Sequence, residues 1–311
     1  MKKLLGMTLL LAALVVAISV FEGQAFLSLG NMHNLLQRIG MLGIYSLGAG
    51  IVILSGGIDL SIGSVIAIVG ILVAMLVSHG WNPFVAAAVA LPICALLGMW
   101  HAFLISRLKL QPFLATLTTL LLLRGLARGL SGGSSQTIEG FKTLGDGSLL
   151  WVPIPFWILI GLAIVLGFVM NFTVYGRYLY AIGRNADAVR YSGIKVDRIR
   201  ILAYVICAVL AGIAGVVELS YNGEVQPAMS GLMYEMWAIA GAVLGGCSLR
   251  GGEGSVLGVI VGVSLITVMR NGINLLGVNT EWEWAVIGVV ILGGVIADAA
   301  YKLRAAKRVK A

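Results

Sequence analysis

The chain has 311 residues, of which 59% are hydrophobic and 11% charged, whereas soluble domains run at about 45–50% apolar and about 25% charged. So few charges cannot cover a water-facing surface, which excludes an ordinary soluble fold. The formal charge of +8 does not mark a nucleic-acid partner, because the basic residues fall in short segments between apolar runs and so report membrane topology.

In chain order, Lys2 and Lys3 precede an apolar run to about Phe21. This looks like a signal peptide, but the run is longer than a usual h-region and no convincing cleavage site follows, so it reads as a retained first helix. Further apolar segments near the length of a bilayer crossing fall at about 39–54, 61–78, 84–105, 112–130, 152–170, 199–219, 236–247, 255–270 and 284–301. The expected fold is therefore all-α: a polytopic transmembrane bundle of about ten spans, in one transmembrane domain covering residues 1–311. The segments near 50 and 245 are short and Gly-rich, the pattern of a broken or re-entrant helix, so eight or nine full spans are also compatible.

A cytoplasmic N-terminus places Lys2, Lys3, Arg107, Lys109, the 171–200 loop, Arg250 and the tail (Lys302, Arg304, Lys307, Arg308, Lys310) inside. That is sixteen of the twenty-one basic residues. The outer connections carry Glu22, Glu139, Asp146, Glu224, Glu235, Glu281 and Glu283 instead, so both termini are expected in the cytoplasm. There is no GxxxxGK[ST] loop and no hydrophilic stretch long enough for a nucleotide-binding domain. Cys94, Cys207 and Cys247 lie in or beside apolar runs without metal-ligand or disulfide spacing and read as packing residues. His33, His79 and His101 form no cluster, so no metal, cofactor or catalytic site is assigned.

Three segments stand out. The first, Ser55-Gly56-Gly57-Ile58-Asp59-Leu60-Ser61-Ile62-Gly63-Ser64, interrupts apolar helix on both sides. Irregular backbone inside a membrane protein has to be satisfied by protein or by a water-lined cavity, which points to a pathway or hinge. Asp59 either caps a helix beginning near Leu60 or faces the solute. The second, Gly245-Gly246-Cys247-Ser248 through Gly254-Ser255-Val256, echoes it: a Gly pair, a polar turn, then Gly-Ser-Val, as in a duplicated hairpin. The third, residues 171–200, holds six basic residues and two acids. Tyr178 to Tyr191 is expected to form a short amphipathic helix with Gly193 just past its end, and the segment is either a docking knob for a partner or an ordinary solvated loop. Arg124 and Arg128 lie four apart near the outer end of the fifth span and either snorkel, form an internal ion pair, or line an outer vestibule. Trp282 and Trp284 read as interfacial anchors.

The stretches GIVILSGGIDLSIGSVIAIVG, GRYLYAIGRNADAVRYSGIKVDRIRI and AIAGAVLGGCSLRGGEGSVLGVIVG together resemble the ribose-type ABC sugar permeases, over nearly the whole chain and in the same order. The branched-chain amino acid permeases are more distant relatives. The resemblance implies a type II importer-like permease in the bacterial inner membrane that moves a small sugar by alternating access. It further implies a second permease subunit (an identical copy or a paralogue), a cytoplasmic ATPase dimer and a periplasmic sugar-binding protein. By the same resemblance, Gly176, Arg177, Gly183, Arg184, Asn185, Ala188, Arg190, Ser192 and Gly193 belong to a loop that inserts into the ATPase. Likewise, Ser55, Gly56, Gly57, Asp59, Ser61 and Gly63, with Gly245, Gly246 and Ser248, are expected near the pathway or its inner gate. Cys247 stands where Thr or another small residue is expected. A permease for another polar solute such as an amino acid is the nearest alternative. An ion-coupled carrier would place more ionisable groups in mid-span.

Overall fold

A computed structural model describes residues 2–277 together with 282, 285, 288, 289, 292 and 293. The chain opens with α1 (Lys2–Phe26), α2 (Leu29–Leu54), α3 (Ile62–Ser78), α4 (Pro83–Ser106) and α5 (Pro112–Leu130). A connection with β1 (Gln136–Thr137), α6 (Thr143–Asp146), β2 (Ser148–Leu149) and β3 (Val152–Pro153) leads into α7 (Ile154–Phe172), followed by α8 (Val174–Arg184) and α9 (Ala186–Tyr191). Then come α10 (Val196–Asn222), β4 (Glu224–Val225), α11 (Tyr234–Leu244) and α12 (Val256–Leu275).

Among the described residues, α1, α2, α4, α5, α7, α10 and α12 are long and apolar enough to cross a membrane, and α3 and α11 are shorter apolar helices. Nine of the ten apolar segments are thus helices. The tenth, 284–301, lies mostly outside the described residues, and Trp284 and the basic tail lie wholly outside them. Trp282 is exposed. The helix starts follow local chemistry. The Asn82 side chain accepts from Phe84 N ahead of Pro83, and Ser255 accepts from Gly258 N, each satisfying a donor that the first turn leaves free.

The second span differs from its sequence reading. It starts at Leu29, ten residues before the expected 39, and runs unbroken to Leu54. Its early turns carry Asn31, Gln37 and Arg38, which lowered the apolar signal, yet Gln37 is buried and donates to the Gly145 carbonyl. Gly40, Gly43, Gly48 and Gly50 within it are contact points and not breaks. A β-carbon on Gly40 would sit 2.5 Å from the Pro155–Phe156 backbone of α7, and one on Gly48 would sit 3.0 Å from Cys207 Cα of α10. Lipid supplies no hydrophobic drive between helices, so such close approach is how membrane helices gain packing contacts.

The bundle is built around α2 and α10. The α10 helix packs on α2, α3 and α4, and α2 also meets α7, α11 and α12. Asn31 and Asn271 exchange amide hydrogen bonds of 3.1 and 2.7 Å between α2 and α12. By contrast α1, with Leu5, Leu9, Val16 and Val20 exposed, lies on the outside against α12, as expected of a lipid-facing helix. The three cysteines are buried and free. At one end of the bundle β1 pairs antiparallel with β4 and β2 with β3. This cap went unread in the sequence because two-residue ladders carry no periodic pattern.

Candidate functional site

Two helix endings define the opposite end of the bundle. After α2, Gly56 N donates to Ile53 O and Gly57 N to Val52 O, with Gly56 at φ +78. After α11, Gly246 N donates to Val243 O and Cys247 N to Ala242 O, with Gly246 at φ +95. Both are the same left-handed termination, in which a residue without a β-carbon crosses to positive φ and the last carbonyls find donors. The echo between the two segments is therefore physical at the helix ends. It fails at the restarts: Ser255 is the N-cap of α12, whereas Gly63-Ser64-Val65 lie inside α3.

Between the first ending and α3 the chain turns back into the bundle. Asp59 is buried, but it is not the N-cap expected from the sequence. The helix begins at Ile62, its N-cap is Ser61, and Asp59 Oδ1 instead accepts from Ser61 N at 2.9 Å and Ser61 Oγ at 2.6 Å. Capping is thus displaced by two residues, because an Asx-type turn satisfies the backbone before the helix starts. Tyr204 of α10 donates to Ile58 O at 3.3 Å and lies over Gly57. His101 of α4, unclustered in sequence, is fully buried with Nδ1 3.9 Å from Asp59 Oδ2, and neither ring nitrogen has a hydrogen-bond partner. Ser55 donates to Val52 O, and Ser248 N donates to Glu253 O across the second turn.

The 171–200 segment forms two helices where one was expected. Asn185, at φ −159, is extended; its side chain accepts from Ala188 N at 3.0 Å and starts α9. The α8 helix turns Gly176, Leu179 and Ile182 inward, while Arg177, Arg184, Ala188, Arg190, Ser192 and Gly193 are exposed. Arg190 pairs with Asp187 at 3.2 Å. Gly193 takes φ +81 just after α9. Tyr191, which no sequence signal separated from its neighbours, is 92% exposed at the tip.

Two of the three sequence motifs, far apart along the chain, are joined by the third at one point. Gly252 N donates to Leu54 O at 3.0 Å, linking the two helix endings. Gly183 of α8 sits directly on both, so that a β-carbon there would strike Leu54 O and Gly252 N. Tyr180 of α8 also donates to Gly254 O at 3.0 Å. Gly63 is not in this cluster; it lies deeper, pressed against Gly231 of the loop before α11, with the Glu235 carboxylate beside it.

Toward the capped end, Arg124 is half-buried and its Nη1 donates to Pro227 O (3.2 Å) and Ser230 O (2.7 Å), holding the loop before α11. Arg128 is exposed. Nearby, Tyr234 donates to the buried Glu218 at 3.3 Å and stacks on Tyr45 at 5.3 Å between centroids. Arg270 lies 5.0 Å over the Trp237 ring. Glu218, Tyr234, Tyr45, Arg270 and Trp237, unlike the two arginines of α5, were not singled out from sequence. The available signal was Glu218, a carboxylate one turn inside an apolar run.

A polytopic helical bundle with interrupted helices and a polar helical loop packed on the interruptions belongs to the class of membrane permeases. The family described as branched-chain amino acid transport system / permease component matches residues 31–295. The chain belongs to that family. The ribose import permease protein RbsC of Escherichia coli (strain K12) is 38% identical over 296 residues, covering 93% of this chain and 92% of its own. The ribose import permease protein RbsC of Bacillus subtilis (strain 168) is 38% identical over 298 residues, 94% and 92%. The L-arabinose transport system permease protein AraH of Escherichia coli (strain K12) is 33% identical over 306 residues, 98% and 92%. No solved structure matches. The resemblance read from three motifs therefore extends over nearly the whole chain.

Proposed function

We propose that this chain is the membrane-spanning permease subunit of an ATP-binding cassette importer for a small sugar in the bacterial inner membrane. Its relatives are named for ribose and arabinose import, and the charge distribution favours both termini in the cytoplasm. It works beside a second permease subunit, with a cytoplasmic ATPase dimer below and a periplasmic sugar-binding protein above.

The observation that carries this reading is the seat of α8 on both helix endings through Gly183. Here the α8–α9 unit is the ATPase docking element, presenting Tyr191, Arg177 and Arg184 outward while its inner face touches Leu54 at the end of α2 and the Gly251–Gly254 turn ahead of α12. Closure of the ATPase dimer moves α8, and α8 moves the turns from which α3 and α12 start. Those turns then act as the inner gate, since their backbone already departs from helical geometry and changes conformation without breaking a helix interior. Backbone-to-backbone packing transmits such a displacement because no flexible side chain absorbs it.

Co-purification is the direct test. The chain should isolate with an ATPase subunit, and sugar uptake should stop when ATP is depleted. Uptake that persists without ATP while an ion gradient is held, together with no ATPase partner, would overturn the importer reading. Uptake of an amino acid in place of a sugar would keep the machine and change its cargo.

A further inference from the structure

The capped end holds a recess of about 310 Å³ lined by Glu218, Asn222, Glu224, Gln226, Met229 and Ser230. Ligand pockets begin at about 300 Å³, so this space suits one small solute. Five of its six lining side chains carry hydrogen-bonding groups. Surface loops are ordinarily polar, and Asn222, Glu224 and Gln226 alone would need no further account.

Glu218 is different. It belongs to α10, one turn before the helix ends at Asn222, and is only 7% exposed. A carboxylate in a membrane-spanning helix is costly and is retained where it faces a cavity or a partner. Its Oε1 accepts from Tyr234, whose ring is stacked on Tyr45, and a carboxylate has about four lone-pair sites. The walls add complementary groups. Gln226 and Asn222 offer both donors and acceptors, and Gln226 is held by Glu224 at 2.9 Å and through its own N–H to Ser230 Oγ at 3.0 Å. The backbone of this wall is fixed from α5 by Arg124, which binds the Pro227 and Ser230 carbonyls.

We infer that this recess is a sugar-contact subsite, with Glu218 as its floor and Asn222, Glu224 and Gln226 as its walls. The assignment rests on the importer reading above. A neutral polyhydroxy solute donates to the two carboxylates and exchanges hydrogen bonds with the carboxamides, whereas an anionic solute is repelled by the same carboxylates. The site is shallow and open on one side, which suits a transporter, since a tightly enclosing pocket would slow release.

The test uses the assembled transporter in vesicles. Met229→Cys places a thiol on the rim, where Met229 is exposed, and the native cysteines are buried, so a membrane-impermeant maleimide reports on the recess. D-ribose or L-arabinose at millimolar concentration should slow labelling at least five-fold, and L-leucine should not. Adding Glu218→Gln should abolish protection and lower pentose uptake at least ten-fold while ATPase co-purification stays at the parental level. Unchanged labelling in vesicles that do take up pentose would overturn the subsite and leave the importer reading standing. Uptake of and protection by leucine alone, with neither pentose transported, would overturn the sugar reading and the subsite with it. Loss of uptake in Glu218→Gln with protection intact would make Glu218 a structural residue and also refute the assignment.

Discussion

Gly183→Ala adds one carbon where α8 touches both helix endings. The atoms in its way are Leu54 O and the Gly252 backbone, which cannot swing aside as a side-chain terminus would. Overpacking of this kind costs about 1–3 kcal/mol. Forcing the two turns apart also threatens the Gly252 N to Leu54 O hydrogen bond, worth about 1 kcal/mol. Against this, alanine gains about 1 kcal/mol over glycine in helix propensity. The balance is about 2 kcal/mol against the seated position of α8, or roughly a thirty-fold shift in its equilibrium. The expected phenotype is a transporter that inserts and assembles but couples poorly: sugar-stimulated ATP hydrolysis and uptake in proteoliposomes should both fall about ten-fold or more. Wild-type uptake and stimulation by Gly183→Ala would refute the idea that this contact transmits motion.

Gly193→Leu tests the docking face separately. Its β-carbon meets nothing, but φ +81 is left-handed, a cost of about 1–2 kcal/mol for an L-residue. ATPase stimulation should be lost while detergent-solubilised protein elutes as a single native peak; normal stimulation would remove the docking claim. Asp59→Ala leaves the buried Ser61 N–H without its acceptor, costing about 1–3 kcal/mol. A thermal-shift assay should show a lower unfolding temperature, and Asp59→Asn, which keeps an acceptor oxygen, should fall between. Arg124→Ala removes two charge-assisted bonds to the loop before α11. Faster amide exchange over residues 226–233 is the expected result, and unchanged exchange would show that Arg124 does not hold that loop.

Much of what neighbouring residues decide was legible in the sequence, although the turn at Asp59 and the second helix start at Asn185 were not. Apolar run length placed nine helices, since a bilayer crossing needs about twenty such residues in succession. The Gly pairs at 56–57 and 245–246 marked real helix terminations because positive φ is a local demand that glycine meets. Gly40 and Gly48 misled for the same reason in reverse: in sequence a glycine that admits another helix looks like one that ends its own. Only the partner, Pro155 or Cys207 more than a hundred positions away, distinguishes them. Glu218 and Glu224 are likewise the same residue type six positions apart, and the turn at Gly223 separates a buried carboxylate from a rim one. Tertiary structure alone decided that Gly183, Leu54 and Gly252 meet, that His101 stands beside Asp59, and that Arg124 reaches the loop at Pro227. Each joins segments with no shared local pattern, and contact between them is fixed only when the helices pack.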